Sequence, residues 1–279
     1  MKLFGDARDF QILFLLTFLC LGVWVRDWTL HLPLMIAVIT ASLGTQLLFN
    51  RLFAVPNASL RSAWITAISL CLLLRANSVF TMIAAGVLAI ACKFIFRFRG
   101  KHFFNPSNFG IIAVLLLTND AWVTPGQWGQ DVGYALLFFC TGAMIVKKVG
   151  RWDTTAAFLF SYAALEAARN LWLGWTWDVY LNRMMSGSLL LFSFFMITDP
   201  RAIPDRKIAR LLWTVAVAAL TYFLRNKYFI PTAPFWALFV LSPFTVFLDR
   251  IWPAKRFEWI EPNRTPDPGH RTLSGVQHA

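Results

Sequence analysis

The chain has 279 residues, 58% hydrophobic and only 14% charged, with a formal net charge of +12 and a mean hydropathy of +0.57. A soluble domain carries about a quarter charged residues, whereas repeated apolar runs of roughly twenty residues mark membrane spans; the chain reads as an all-α polytopic membrane protein embedded in a lipid bilayer. Its Lys and Arg residues sit in short clusters between apolar runs, as topology-setting loops do, which argues against nucleic acid as a partner.

In chain order, Lys2 and Arg8 precede an apolar run from Phe10 with no small-residue cleavage site after it, and Thr17-Phe18-Leu19 before Cys20 is too bulky for lipoprotein processing. This stretch reads as an uncleaved first helix. Ten spans are expected, at about 10–25, 30–49, 60–74, 77–96, 106–118, 131–147, 154–173, 184–198, 208–224 and 230–248. The fifth is short and opens on Pro106, a residue suited to a first helical turn. The tenth holds Pro234 and Pro243, where a kink or break is expected. Residues 1–260 then form a single transmembrane helical domain, and the Pro-, Gly- and polar-rich stretch 261–279 a disordered cytoplasmic tail.

Charge supports this division. With the N-terminus cytoplasmic, twenty of the 26 Lys and Arg residues fall on the cytoplasmic side and five on the other, with Arg169 inside a span. Both termini are then cytoplasmic. Trp24, Trp28, Trp122, Trp128, Trp172, Trp175 and Trp177 fall at the opposite ends, as an interfacial belt would. Cys20, Cys71, Cys92 and Cys140 lie singly in apolar runs and read as packing thiols, so no metal is expected.

Two segments are not explained by greasiness. Arg99 to Gly110 runs from a basic patch into Asn105-Pro106, and Phe194 to Pro204 ends an apolar run in Thr198-Asp199-Pro200. Short or Pro-interrupted spans in both halves point to internal repeats and a site at the membrane midplane. Asn105 and Asn108 could offer amides to a ligand, and Gly110 close backbone approach; equally, Asn105-Pro106 could only cap and start a helix. Asp199 could bind a ligand, or only stop a helix and pair with Arg201 or Arg206. Glu166 and Arg169, three apart inside the seventh span, could pair on one face and line an ion or proton path. Lys93, a turn from its helix end, reads as a snorkelling stem.

Gly100-Lys-His-Phe-Phe-Asn-Pro-Ser-Asn-Phe-Gly110, with Ser186 to Pro200 and Lys147-Lys-Val-Gly-Arg-Trp-Asp153, resembles the NqrB/RnfD family, the ten-helix membrane subunits of sodium-pumping NADH:quinone reductase and Rnf-type complexes. The resemblance implies a fold similar to urea transporters, built as two five-helix repeats with short or broken helices. It implies a bacterial inner-membrane subunit that passes electrons among other membrane or redox subunits, coupled to ion movement. A flavin or quinone would sit at Lys101, Asn105, Pro106, Asn108, Phe109, Gly110, Thr198, Asp199 and Pro200, the isoalloxazine stacked on Phe103, Phe104 or Phe109. The family's flavin-attachment segment is reduced here to Thr124-Pro125. Thr124 is thus the one candidate for a covalent link, and the cofactor implied is FMN or riboflavin held non-covalently. The alternative is a small-solute or ion transporter on the same scaffold; a third reading is an anchor for a redox partner.

Overall fold

The computed structural model describes residues 6–26, 28, 31–53, 59–124, 127–129 and 131–259; the tail expected at 261–279 lies outside them. The first half runs α1 (Ala7–Trp24), α2 (Leu32–Leu52), α3 (Arg61–Leu73), β1 (Leu74–Ala76), α4 (Val79–Ile95), β2 (Arg97–Phe98), β3 (Lys101–His102), α5 (Pro106–Leu117) and β4 (Ala121–Val123). The second runs α6 (Val132–Val149), α7 (Trp152–Leu173), α8 (Trp177–Met184), α9 (Gly187–Leu191) continuing into a π turn (Phe192–Met196), α10 (Lys207–Lys227), α11 (Ala233–Leu241) and α12 (Phe244–Ile251).

Local chemistry sets the ends. Asp6, Ser78 and Asp131 each accept a backbone N–H from the first turn of the helix they open, filling donors that the helix leaves without partners. Gly150 closes α6 in the left-handed region at φ 73°, where a side chain would be strained.

Each of the ten expected spans corresponds to a helix or broken pair, and α8 is an extra short helix. Among the described residues four helices, α1, α2, α6 and α10, are long and apolar enough to cross a membrane alone. A fifth is the pair α11 and α12, bent by 47° at Ser242-Pro243, where proline removes a backbone donor. The short segments reach further than their helices. By helical rise α3 is about 20 Å long and α5 about 18 Å, and a three-residue strand adds about 10 Å to each. Together each approaches the roughly 30 Å of bilayer hydrocarbon. Those strands, β1 and β4, pair antiparallel, Leu74 opposite Val123 and Ala76 opposite Ala121, so their backbone groups are satisfied where helix is absent.

The halves repeat one pattern of packing. The main pairs are α2 on α4, α4 on α5 and α1 on α3 in the first half; α7 on α10, α10 on α11 and α6 on α9 with its π turn are their counterparts. Gly110 makes the α4–α5 contact. A Cβ there would stand 2.7 Å from both the Ala85 carbonyl oxygen and the Ala89 Cβ, so the glycine serves helix packing rather than ligand approach. Outward faces are apolar, with Phe80 82% and Trp172 88% exposed, as lipid contact requires. Trp128 departs from the expected belt: at 1% exposure it is core, ringed by Phe18, Trp28 and Phe138. Of the cysteines, all free, Cys71 and Cys92 are buried while Cys20 and Cys140 face outward.

Two buried polar knots hold the basic end. Arg210 Nη2 donates to Asp153 Oδ2 at 2.5 Å and Nη1 to the Asp205 carbonyl at 3.0 Å. Lys101 Nζ donates to Asp249 Oδ2 and the Ile203 carbonyl, both at 2.6 Å, and lies 3.1 Å from Asp205 Oδ2.

Candidate functional site

At the basic end a cavity of about 500 Å³ opens between the halves, within the range of small-molecule sites. Both punctuated segments reach it. Asn105, Pro106 and Ser107 line it from the start of α5, and Thr198, Asp199 and Pro200 from the end of the π turn. Gln46, Ser62, Thr66 and Ser69 add neutral polar groups from α2 and α3, Phe195 a flat face, and Arg8, Lys93, Arg97 and Arg201 positive charge; Phe257 and Trp259 stand at its edge.

Asn105 builds this wall rather than offering itself to a ligand. Its Oδ1 accepts the Asn108 N–H at 3.0 Å, capping α5, and its Nδ2 donates to the Met196 carbonyl at 3.1 Å. Asn108 Nδ2 donates to the Phe235 carbonyl at 3.0 Å. Both amides thus cross from the first half to the second, one to the π turn and one to α11. The π turn makes the first bond available: the Ile197 N–H reaches back to Phe192 at 3.0 Å, a five-residue step that shifts the carbonyl register. Asn108, Phe109, Gly110 and Lys101 stand outside the cavity. Phe109 packs with Phe96, Phe104 and Phe239, and Phe103 with Phe96 and Phe104. The rings expected to stack on a ligand therefore stack on one another.

Asp199 sits 3.7 Å from His102 Nε2 and accepts the Arg201 N–H at 3.1 Å. Burial alone would raise its pKa, but the His102 contact, the Arg201 N–H and the Arg201 charge outweigh it and hold Asp199 below the usual carboxylate range. Burial pushes His102 the other way, below its ordinary 6.5, against the pull of Asp199. Below 6.5 an unfolded His102 binds protons that the folded one refuses, so stability falls as pH drops from 6.5 toward the folded value. His102→Asn is expected to flatten this slope, read as melting temperature at about pH 7.5 and about pH 5.5. Equal acid losses in variant and parent would contradict a neutral, buried His102.

Lys93 does not snorkel. It is 7% exposed, and its Nζ donates to Gln46 Oε1 at 2.6 Å and Ser62 Oγ at 3.2 Å. Glu166 does not pair with Arg169. Its carboxylate takes Arg183 Nη1, Tyr162 Oη and Asn226 Nδ2, each at 2.9 Å, while the Arg169 guanidinium lies 4.5 Å over the Trp175 ring. The partner, Arg183, comes from α8, a helix in the stretch that the expected spans left as the loop before the eighth. Thr124 lies beyond the far end of α5 from the cavity and donates to Gln127 Oε1 at 3.2 Å.

Comparison with known proteins speaks to the second half. The NQR2, RnfD, RnfE family matches residues 120–258. Over that region the chain belongs to this family. It is 26% identical over 139 residues to the D-type component of the ion-translocating oxidoreductase complex of Halorhodospira halophila (strain DSM 244 / SL1), covering 50% of this chain and 36% of the relative. With the component of the same name from Stutzerimonas stutzeri it shares 25% identity over 108 residues, covering 39% of this chain and 30% of that protein. The chain thus spans about a third of the length of these curated relatives. The family region holds Thr198–Pro200 and Glu166; Lys93 and Asn105 lie outside it, on the half that the packing relates to it.

Proposed function

We propose that this chain is the RnfD-like integral subunit of an electron-transport, ion-translocating oxidoreductase complex, and that it holds a flavin, FMN or riboflavin, non-covalently in the cavity at its basic end. The basic end then faces the cytoplasm of a bacterial inner membrane, and the neighbours in the membrane are redox subunits. The observation that carries this reading is the meeting of Asn105-Pro106 with Thr198-Asp199-Pro200 at one polar cavity, together with the family of the second half.

The residues present fit such a group. Gln46, Ser62, Thr66 and Ser69 supply donors and acceptors for the polar edge of a flavin and its ribityl hydroxyls, and Phe195 an apolar face. When bound, a flavin accepts and returns one or two electrons. The chain's own part is to bind, orient and exclude water: Asn105 fixes the wall, Thr198, whose hydroxyl donates to the Phe194 carbonyl at 2.6 Å, keeps its oxygen as an acceptor, and Asp199 holds a fixed negative charge. Glu166, buried and bound by the half-buried Arg183 and Asn226, is the charge we place on an ion or proton path.

The visible spectrum of detergent-purified protein, before and after acid precipitation, tests this. Yellow colour released into the acid supernatant is the expected result. Colour kept in the pellet would mean a covalent link, with Thr124 the residue to change next. A colourless, well-folded preparation that stays colourless after offering riboflavin and FMN would overturn the flavin reading in favour of a transporter on this scaffold.

A further inference from the structure

Beyond Ile251, where α12 ends, the chain crosses the basic end without secondary structure from Pro253 to Trp259. Pro253 fixes its own φ and has no N–H to give, so the helix stops and the chain turns away. Three contacts then set its course. Arg256 comes to the turn between β2 and β3, where a Cβ on Gly100 would stand 3.5 Å from its Nη1. Phe257 lies under the Arg151 guanidinium, 5.2 Å from the ring centre, where α7 begins. Trp259 lies against Arg8, at 4.8 Å, in the first turn of α1. The strap thus leaves the second half and reaches the first, and Phe257, Glu258 and Trp259 line the cavity between them.

Its hold is unlike that of the walls. Lys93, Asn105 and Thr198 are tied in by hydrogen bonds, whereas among the described residues no hydrogen bond joins 253–259 to the rest of the chain. Pro253, Ala254, Lys255, Arg256 and Glu258 are exposed, and only the rings of Phe257 and Trp259 are half-buried, packed edge to face at 4.9 Å. Few buried apolar contacts and no hydrogen-bonded backbone mark a segment that opens at low cost. The posts it rests on are fixed by comparison. Asp6 holds the Arg8 guanidinium, and the Arg151 N–H is bonded to the Val146 carbonyl at 2.9 Å.

We propose that residues 253–259 are a lid over the cavity, swinging from the end of α12 and latched by Phe257 on Arg151 and Trp259 on Arg8. Such a lid serves a flavin or a transported solute alike, because an occupant wider than the gap enters and leaves only while it is open.

The test uses Ser69→Cys in the full chain. Ser69 lines the cavity and lies seven residues beyond Ser62 along α3, about 10 Å deeper. Its labelling by a small polar maleimide is read by peptide mass, apart from the native cysteines. Phe257→Ala with Trp259→Ala should speed labelling about tenfold, the scale of two exposed cation–π contacts. If that double variant melts early, Arg151→Gln, which removes one latch and leaves both rings, should still give about a threefold rise. Unchanged rates would overturn the lid. A maleimide borne on a bulky dye separates a lid from a fixed wall. Slow but complete labelling of residue 69 with the strap intact is expected, and total exclusion there would make the strap a rigid wall and overturn the proposal.

Discussion

Asn105→Ala is expected to lower the stability of the folded chain by about 2–4 kcal/mol. Losing a side-chain cap on a helix costs about 1 kcal/mol, and taking the amide from a buried carbonyl, which then keeps only the long 3.4 Å bond from the Asp199 N–H, costs about 1–3 kcal/mol. Both losses fall on this residue, because Asn105 caps α5 through Oδ1 and binds the Met196 carbonyl through Nδ2. For a chain of this size each kcal/mol moves the melting temperature by about 2–4 °C, so a fall on the order of 10 °C should appear in a melt followed by the 13 tryptophans. Asn105→Ser separates the two roles. Serine still caps but is too short to reach across to the π turn, so it should recover only the capping part. If alanine and serine both melt with the parent protein, the amide is no brace between the halves.

Removing one partner of the Asp153–Arg210 pair is the other large effect. Both side chains are buried, at 8% and 5% exposure, and breaking such a pair typically costs about 3–5 kcal/mol because it leaves a charge without its counter-ion. Asp153→Leu should fall near the lower end, since Arg210 keeps the Pro204 and Asp205 carbonyls. It also removes the charge that supports Arg151, whose pKa is already pushed down by burial and by Arg210. Arg210→Met should cost as much. The double variant should cost clearly less than the two singles together, the mark of a direct interaction. Simple additivity of the two losses would show that the pair contributes nothing as a pair.

The layout of apolar segments was readable because each leaves a run of hydrophobic residues punctuated by charge, and because Pro106 and Pro243 act locally. Asn105-Pro106 and Thr198-Asp199-Pro200 stood out for the same reason, and the structure brings them to one cavity. What each side chain does there was not readable, since it depends on partners far away in the chain. Lys93 looks like a snorkelling stem until Gln46, 47 residues earlier, is placed against it. Glu166 has a plausible partner three residues on, yet the residue that binds it is 17 away on a short helix with almost no hydrophobic signature. The rings of Phe103, Phe104 and Phe109 read as a stacking platform, but Phe96 and Phe239 had already taken their faces. Strands β1 and β4, at three residues each, are too short to leave a periodic trace. The π turn carries no composition of its own.

That π turn is, in effect, one surplus residue threaded into a helix. Successive residues of an α-helix are about 100° apart around its axis. The surplus therefore rotates everything after Met196 relative to α9 by about that angle. Across this phase shift Leu189 and Leu190 stay in the packed interior, while Thr198 and Asp199, a few residues later, line the cavity beside Leu191 and Phe195, and Asp199 meets His102. The chemistry of the site is thereby written as a count of residues between Gly187 and Thr198, and a sequence that kept every side chain but lost one position there would present a different face.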